Sequence, residues 1–531
     1  MPVWPKSFYT FGINLKTAAT EWKLRQKRTA PAAQAKAFAA LVPKLAATSH
    51  WRKQGVTPNI YYTRFRTEVA PSTHAQLAPL IEKMKAGEAD VLWPGTCELF
   101  AASSGTTDGQ PKYFPVTEEM LRHFRQAGLD ALLYYTVRVR HAGAFRGRHL
   151  LLGGATGLTP LRATGGHRAF AGELSGIVAA NLPHWAERHL YEPGTSAAQA
   201  ADCDDRMDAI VTRTFGADIS LVAGLPHWTL ALANELRERT TEGDRPIADL
   251  QVLWPNLECF VHTGLPIGPF AAELREALGK PVTFHEVYAA SEGFIAAQDL
   301  PSPQAGLRVM ADLGIFFEFV PMADLEMNRV EQLGPKAVPL AEVRTGVDYA
   351  VLLTTPGGLV RTPLGDVVRF TSTEPPRLVY VGRTALRLNS AGERVSEKDL
   401  TDVLAGVCNR NQWRIVNFHV APLPTTARLT GQRRTRHEWW VELKPGTVAT
   451  PTGPQIAAMI DADLQQINGD YADRRRKGAL ETPYVRLVMP GVFEHWLRHA
   501  GKWGGQHKLP RCRPDRTLAD QLAKITNFAA D

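Results

Sequence analysis

Apolar residues fall at three- and four-residue spacings through 32–42 and again through 73–86, which predicts two amphipathic helices in a largely helical first stretch. A break over 54–61 separates them, and Pro43 is placed to close the first, because proline has no N–H for the helix ladder. Further on, helical periods alternate with short apolar runs. Residues 148–152 lead into Gly153 and Gly154, and 250–254 and 259–262 read likewise as buried strands. Such alternation predicts an α/β fold. From Asp348 the texture turns β-rich: 349–355 meets a turn at Pro356-Gly357-Gly358, and strands are expected at 367–370 and 377–381. A polar, Gly-containing stretch at 388–394 reads as a connector. Helix is then expected at 397–407, strand at 439–443 and helix at 456–467. The predicted organisation is a large α/β domain over 1–385 with mixed sheets and helices, a hinge over 386–396, and a small, mobile α+β lid domain over 397–531.

Composition narrows the class. A chain of 531 residues, 44% hydrophobic and 21% charged, is that of a globular protein rather than a disordered one. No apolar run approaches the roughly 18–20 residues that cross a bilayer, and the first thirty residues carry scattered charge with no apolar segment of a secretory leader. A cytoplasmic location and no membrane partner are expected. Cys97, Cys203, Cys259, Cys408 and Cys512 are far apart and odd in number, which suggests reduced thiols rather than disulfides or a zinc site. The net charge of +8 raises a nucleic-acid partner, but the densest basic runs, 433–436 and 474–477, sit in no nucleic-acid module, so none is expected.

Three segments carry candidate chemistry. Residues 103–112, Ser-Ser-Gly-Thr-Thr-Asp-Gly-Gln-Pro-Lys, combine two glycines with the hydroxyls of Ser103, Ser104, Thr106 and Thr107 and the cation of Lys112. Glycine lets the backbone approach an anion, and hydroxyls and a lysine can then cradle phosphate, although a polar turn has the same composition. The order differs from a Walker loop. At 288–293, Tyr288 precedes Ser291, Glu292 and Gly293 at the end of a β-prone run: an aromatic to stack a base and a carboxylate for a divalent cation, or simply a strand end. Asp366, after Gly365, can accept from ribose hydroxyls or belong to a common turn.

Taken together, in this order, the segments resemble the adenylate-forming superfamily, and more closely the auxin-responsive acyl-acid amido synthetases, which join plant hormones to amino acids. Connecting text agrees: 253–257 (Leu-Trp-Pro-Asn-Leu), Ala311-Asp312, 314–321 (Gly-Ile-Phe-Phe-Glu-Phe-Val-Pro) and 505–511 (Gly-Gln-His-Lys-Leu-Pro-Arg), over roughly residues 30–515. The resemblance implies ATP and Mg²⁺ as cofactors, a small carboxylic acid as substrate and an amine, such as an amino acid, as acceptor. It implies that Ser103, Ser104, Thr107 and Lys112 handle the phosphates, that Tyr288 lies by the adenine, that Ser291 also binds the nucleotide, and that Glu292 lies near Mg²⁺. Asp366 would bind ribose, Arg383 would act at the hinge, and Lys508, from the small domain, would neutralise the α-phosphate. Trp228, Gly264 and Leu265 fall where the family holds the acyl group, although Trp228 also suits a core.

Two departures stand out. Plant members carry Tyr-Arg where this chain has Thr362 and Pro363, and Tyr where it has His507. The rival readings are an acyl-CoA ligase, which differs only in its acceptor, and a nucleotide-binding homologue without catalysis. The acid, the amine and the oligomeric state are left open, a monomer being compatible.

Overall fold

The computed structural model describes residues 6–26, 29–103, 111–161, 166–195, 197–199, 203–242, 245–264, 267–426, 433–444, 446, 451–501 and 509–528. The chain divides into two compact units, one of residues 1–264 and 277–379, the other of residues 265–276 and 380–531.

Unit 1 is α/β, as the alternating pattern predicts. Among the described residues, its main sheet has twelve strands. The central ones run Gly293–Ala297, Thr283–Ala290, Cys259–His262, Ile219–Gly224 and Arg148–Leu152 in spatial order. From Thr283–Ala290 through Arg148–Leu152 they are parallel, and Leu152, Gly224 and His262, the carboxyl ends of three of them, stand in one row with Glu286 of the fourth. In open parallel sheets that edge is where ligands bind. The other half is antiparallel: Phe316–Pro321 pairs with Asp348–Thr354, which pairs with Thr362–Thr373. A separate four-stranded sheet contains Leu99–Ser103 and Lys112–Pro115.

Two local readings differ from the structure. The helix containing Pro43 runs on to Ala47, because its buried face (Phe38, Leu41, Val42, Leu45, Ala46) continues past the proline into the core. Residues 250–254 form a helical turn rather than a strand, with Trp254 N–H bonded to Leu250 O at 2.8 Å. The wholly buried Trp254 indole donates to Thr214 O at 3.0 Å, and the turn aims it there.

Beside the third candidate segment lies a buried ion pair. Arg361 is wholly buried and Glu318 is 1% exposed. The guanidinium grips both Glu318 oxygens at 2.8 Å and donates to the carbonyls of Val69 (2.6 Å), Arg66 (2.9 Å) and Gly334 (2.9 Å). Tyr62 Oη donates to Glu318 at 3.0 Å, and burial together with that carboxylate pushes the phenol pKa up.

Unit 2 is a small α+β body. Ile415–Thr426, Arg433–Leu443 and Tyr484–Val488 form its sheet, and helices Glu397–Arg410 and Gly453–Ile467 pack on it. Both helices begin in capping boxes, Ser396 with Asp399 and Thr452 with Gln455, each satisfying two N–H groups at the helix start. Residues 386–396, the expected hinge, hold a hairpin of Arg387–Leu388 and Val395–Ser396, with Leu388 and Val395 in the core of this unit. Its polar composition serves a tight turn: the buried Glu393 accepts from the N–H groups of Ser390 (3.1 Å) and Ala391 (2.7 Å) and faces His437 Nε2 at 3.1 Å.

Removing one partner of a buried charge pair strands the other, at a cost of about 3–5 kcal/mol. Arg361→Met should therefore lower the urea-denaturation stability by that order. Arg361→Met with Glu318→Met should cost clearly less than the sum of the two single changes. Additive losses would mean that the two residues act separately.

Candidate active site

The first segment is the mouth of a β-hairpin. Ser103 and Lys112 are directly paired across Leu99–Ser103 and Lys112–Pro115, so their side chains share a face at the base of the loop. Ser104 and Thr107, within that loop, lie outside the described residues. The second segment is also a hairpin. Thr283–Ala290 turns through Ser291 and Glu292 into Gly293–Ala297, with Ala290 paired to Gly293. Gly293 packs closely on Ile315, whose terminal methyl would have to shift to admit a Cβ there.

The structure joins the second and third segments. Tyr288, 8% exposed, donates its hydroxyl to Asp366 Oδ2 at 2.7 Å across 78 residues of sequence. The register irregularity between Tyr288 and Ala289 re-aims the end of the strand as it enters the turn. Asp366 is carried on Thr362–Thr373, which starts directly after the anchored Arg361. Of the two departures there, Thr362 is buried opposite Leu353. Pro363 sits opposite Leu352, where the pairing with Asp348–Thr354 shifts register and a missing N–H is tolerated.

The donor set at the second turn suits Mg²⁺ held chiefly by nucleotide oxygens: one half-buried carboxylate, Glu292, on a two-residue turn. Among the described residues no three His, Cys, Asp or Glu gather into a metal site.

Of the remaining candidates, Trp228 is 2% exposed on helix Pro226–Arg239, one residue before Thr229, whose hydroxyl lies against Gly224. Gly264 follows Cys259–His262 with φ +81°, a left-handed conformation that suits glycine. Arg383 ends the strand Pro376–Arg383 and belongs to unit 2. Leu265 and Lys508 lie outside the described residues.

Two features of the site escaped the sequence reading. His123 is 4% exposed on helix Glu118–Val139, with Nδ1 at 2.8 Å from Leu313 O and Nε2 accepting from Phe294 N–H at 2.9 Å. Burial lowers its pKa to about 4, so it is uncharged. The Glu318–Arg361 pair is the other. A glutamate alone between Phe317 and Phe319 in an apolar strand was the available signal, since buried carboxylates require a cation.

With that geometry in view, comparison with known proteins is informative. Sequence profiles of the GH3 family match in three parts: its N-terminal domain at residues 21–157, its central domain at 308–383 and its C-terminal domain at 398–517. The chain belongs to the GH3 family. Jasmonoyl--L-amino acid synthetase JAR6 of Nicotiana attenuata is 24% identical over 519 residues, spanning 84% of this chain and 85% of that protein. The solved structure of GH3.15 acyl acid amido synthetase matches with a TM-score of 0.72 at 17% identity, covering 96% of this chain and 95% of that one. A 2-hydroxyisobutyryl-CoA ligase in the postadenylation state, in complex with 2-HIB-AMP, matches at 0.56 and 14% identity, covering 93% and 92%. These two likenesses establish the fold. The GH3 N-terminal domain holds Ser103, Lys112 and His123, and the central domain holds Glu318, Arg361 and Asp366. No helix among the described residues is long and apolar enough to cross a membrane.

Buried neutral histidines give this GH3 fold a pH dependence. His262, on the parallel-strand edge, has its pKa lowered to about 3 by burial and then by the Arg138 charge. An unfolded histidine binds its proton near pH 6.5 and this one does not, so its contribution is complete above about 6.5 and is lost as pH falls toward about 3. His262→Gln should flatten the stability profile over that window by up to about 1.4 kcal/mol per pH unit. Denaturation midpoints of wild type and variant that fall in parallel below pH 6 would contradict this.

Proposed function

We propose that this chain is an ATP-dependent acyl-acid amido synthetase. A carboxylate oxygen of a small acid attacks the α-phosphorus of ATP and pyrophosphate leaves. The amine of an acceptor, an amino acid in this reading, then attacks the acyl carbon, and AMP leaves with the electron pair of the broken C–O bond. The amine proton passes to solvent or a base, and no covalent enzyme intermediate is needed. The Tyr288–Asp366 hydrogen bond carries the reading, because it holds an aromatic for the adenine and a carboxylate for the ribose in one fixed arrangement. Membership of the GH3 family, and relatives named as amino acid-conjugating synthetases, support the amide-forming second step.

In this mechanism Ser103, Ser104, Thr107 and Lys112 bind the phosphates, Ser291 also binds the nucleotide, and Glu292 is the residue that would hold Mg²⁺, which when bound offsets phosphate charge. Lys508 supplies positive charge as the α-phosphate is attacked. Adenylyl transfer is mostly positioning and charge stabilisation, and these groups suit it. Trp228, Gly264 and Leu265 line the acyl site. The small domain turns between the half-reactions, with its pivot at 380–383 including Arg383. The hairpin at 386–396 travels with it, because Leu388 and Val395 are packed in its core. The protein works in the cytoplasm.

The test is exchange of labelled pyrophosphate into ATP against a panel of aryl and alkyl acids. Exchange should require both an acid and Mg²⁺. Lys508→Ala should slow exchange strongly with little change in ATP affinity, and should leave amide formation from a supplied acyl-adenylate largely intact. Absence of exchange with every acid would remove the catalytic reading, and equal losses in both half-reactions would remove the lysine's specific role.

A further inference from the structure

The turn carrying Glu292 rests on a clamp built from two helices. Gln34, 3% exposed, donates through Nε2 to Ala311 O (2.7 Å) and Ile315 O (2.9 Å), and its Oε1 accepts from Phe317 N–H (2.8 Å). The loop 311–315 is thereby fixed at both ends, and Ile315 presses directly under Gly293. His123 bridges the middle of this loop, at Leu313 O, to the backbone of Phe294, two residues beyond Glu292. The partners dictate the tautomer: Phe294 N–H donates, so Nε2 is bare, and Nδ1–H donates to the carbonyl.

The helix carrying His123 is itself tied to the other two segments. It begins at Glu118, three residues after the strand Lys112–Pro115 of the phosphate hairpin. Its cap residue Thr117 accepts from Met120 N–H at 3.2 Å and donates to Pro356 O at 2.7 Å, in the turn that leads to Arg361 and Asp366. A Cβ on Gly357 would meet Pro115 O at 2.8 Å, so this turn is pressed onto the phosphate hairpin. One helix thus follows directly on the phosphate hairpin, is capped against the turn before Arg361, and meets the second segment through His123.

We propose that His123 is a positioning residue for the Ser291–Glu292 turn, locking it between Leu313 and Phe294 so that the Glu292 carboxylate meets the divalent cation of the bound nucleotide. This rests on the reading of Glu292 as the metal carboxylate. A side chain that orients a metal ligand contributes about 10–100-fold to metal affinity, although it never touches the ion.

The test measures binding of Mn²⁺·ATP by Mn²⁺ electron paramagnetic resonance, without acid and hence without turnover. His123→Phe, which fills the space but makes neither hydrogen bond, should weaken Mn²⁺·ATP binding about tenfold. His123→Gln, which keeps an acceptor and a donor, should stay within a few-fold of wild type. His123→Asn, too short to span both partners, should fall between them and serves if the Phe variant does not fold. Weakening by Glu292→Gln with unchanged binding in folded His123→Phe or His123→Asn would overturn this proposal alone. Unchanged binding in Glu292→Gln would overturn the metal reading and this proposal with it.

Discussion

The Glu318–Arg361 pair is the constraint on which the strand carrying Asp366 depends. Burying two charges is costly unless each finds full compensation, and here both do. Arg361 adopts φ 51°, a left-handed conformation that costs a non-glycine residue about 1–2 kcal/mol. Its side chain over-determines that conformation through two contacts to the carboxylate and three to carbonyls. The residue where the chain enters Thr362–Thr373 is thereby fixed against the strand Phe316–Pro321 and the helix Tyr62–Glu68. Asp366, five residues on, inherits its position from that anchor.

From there the site is assembled by polar links between distant stretches of chain rather than by one loop. Tyr288 reaches Asp366, Thr117 reaches Pro356, and His123 reaches Phe294 and Leu313. The Thr117–Pro356 and His123–Phe294 links are buried, where an unmade hydrogen bond costs about 1–3 kcal/mol, and the other two are half-buried, so each favours a single arrangement. That suits a reaction whose catalysis is largely placement. Gly357, pressed against the Pro115 carbonyl, marks where two segments come too close for a side chain.

Much of this was legible in the chain. The α/β class, the helices beginning near Glu397 and Ile456, and the order of the three segments follow from periodicity and motif spacing. Pro43 and the 250–254 run misled because tertiary burial overrode local preference: Leu45 and Ala46 hold the helix past the proline, and Trp254 bends an apolar run into a turn. The polar 388–394 stretch looked like a connector, but its Glu393 is satisfied by its own turn and buried. His123 was invisible for a different reason. A histidine on the apolar side of a helix gives no sign of its partners until Phe294 and Leu313, some 170 and 190 residues away, are folded onto it.

The central claim, that a carboxylate is activated as its adenylate and then passed to an amine, is tested most directly by following oxygen. An accepted acid labelled with ¹⁸O in both carboxylate oxygens is incubated with ATP, Mg²⁺ and the amine, and the products are weighed by mass spectrometry. Attack on the α-phosphorus places one labelled oxygen between carbon and phosphorus, and attack by the amine at carbon leaves that oxygen on phosphorus. The account predicts AMP carrying one ¹⁸O and an amide retaining the other. Label in inorganic phosphate, with ADP as the nucleotide product, would contradict it, as would AMP that carries no label.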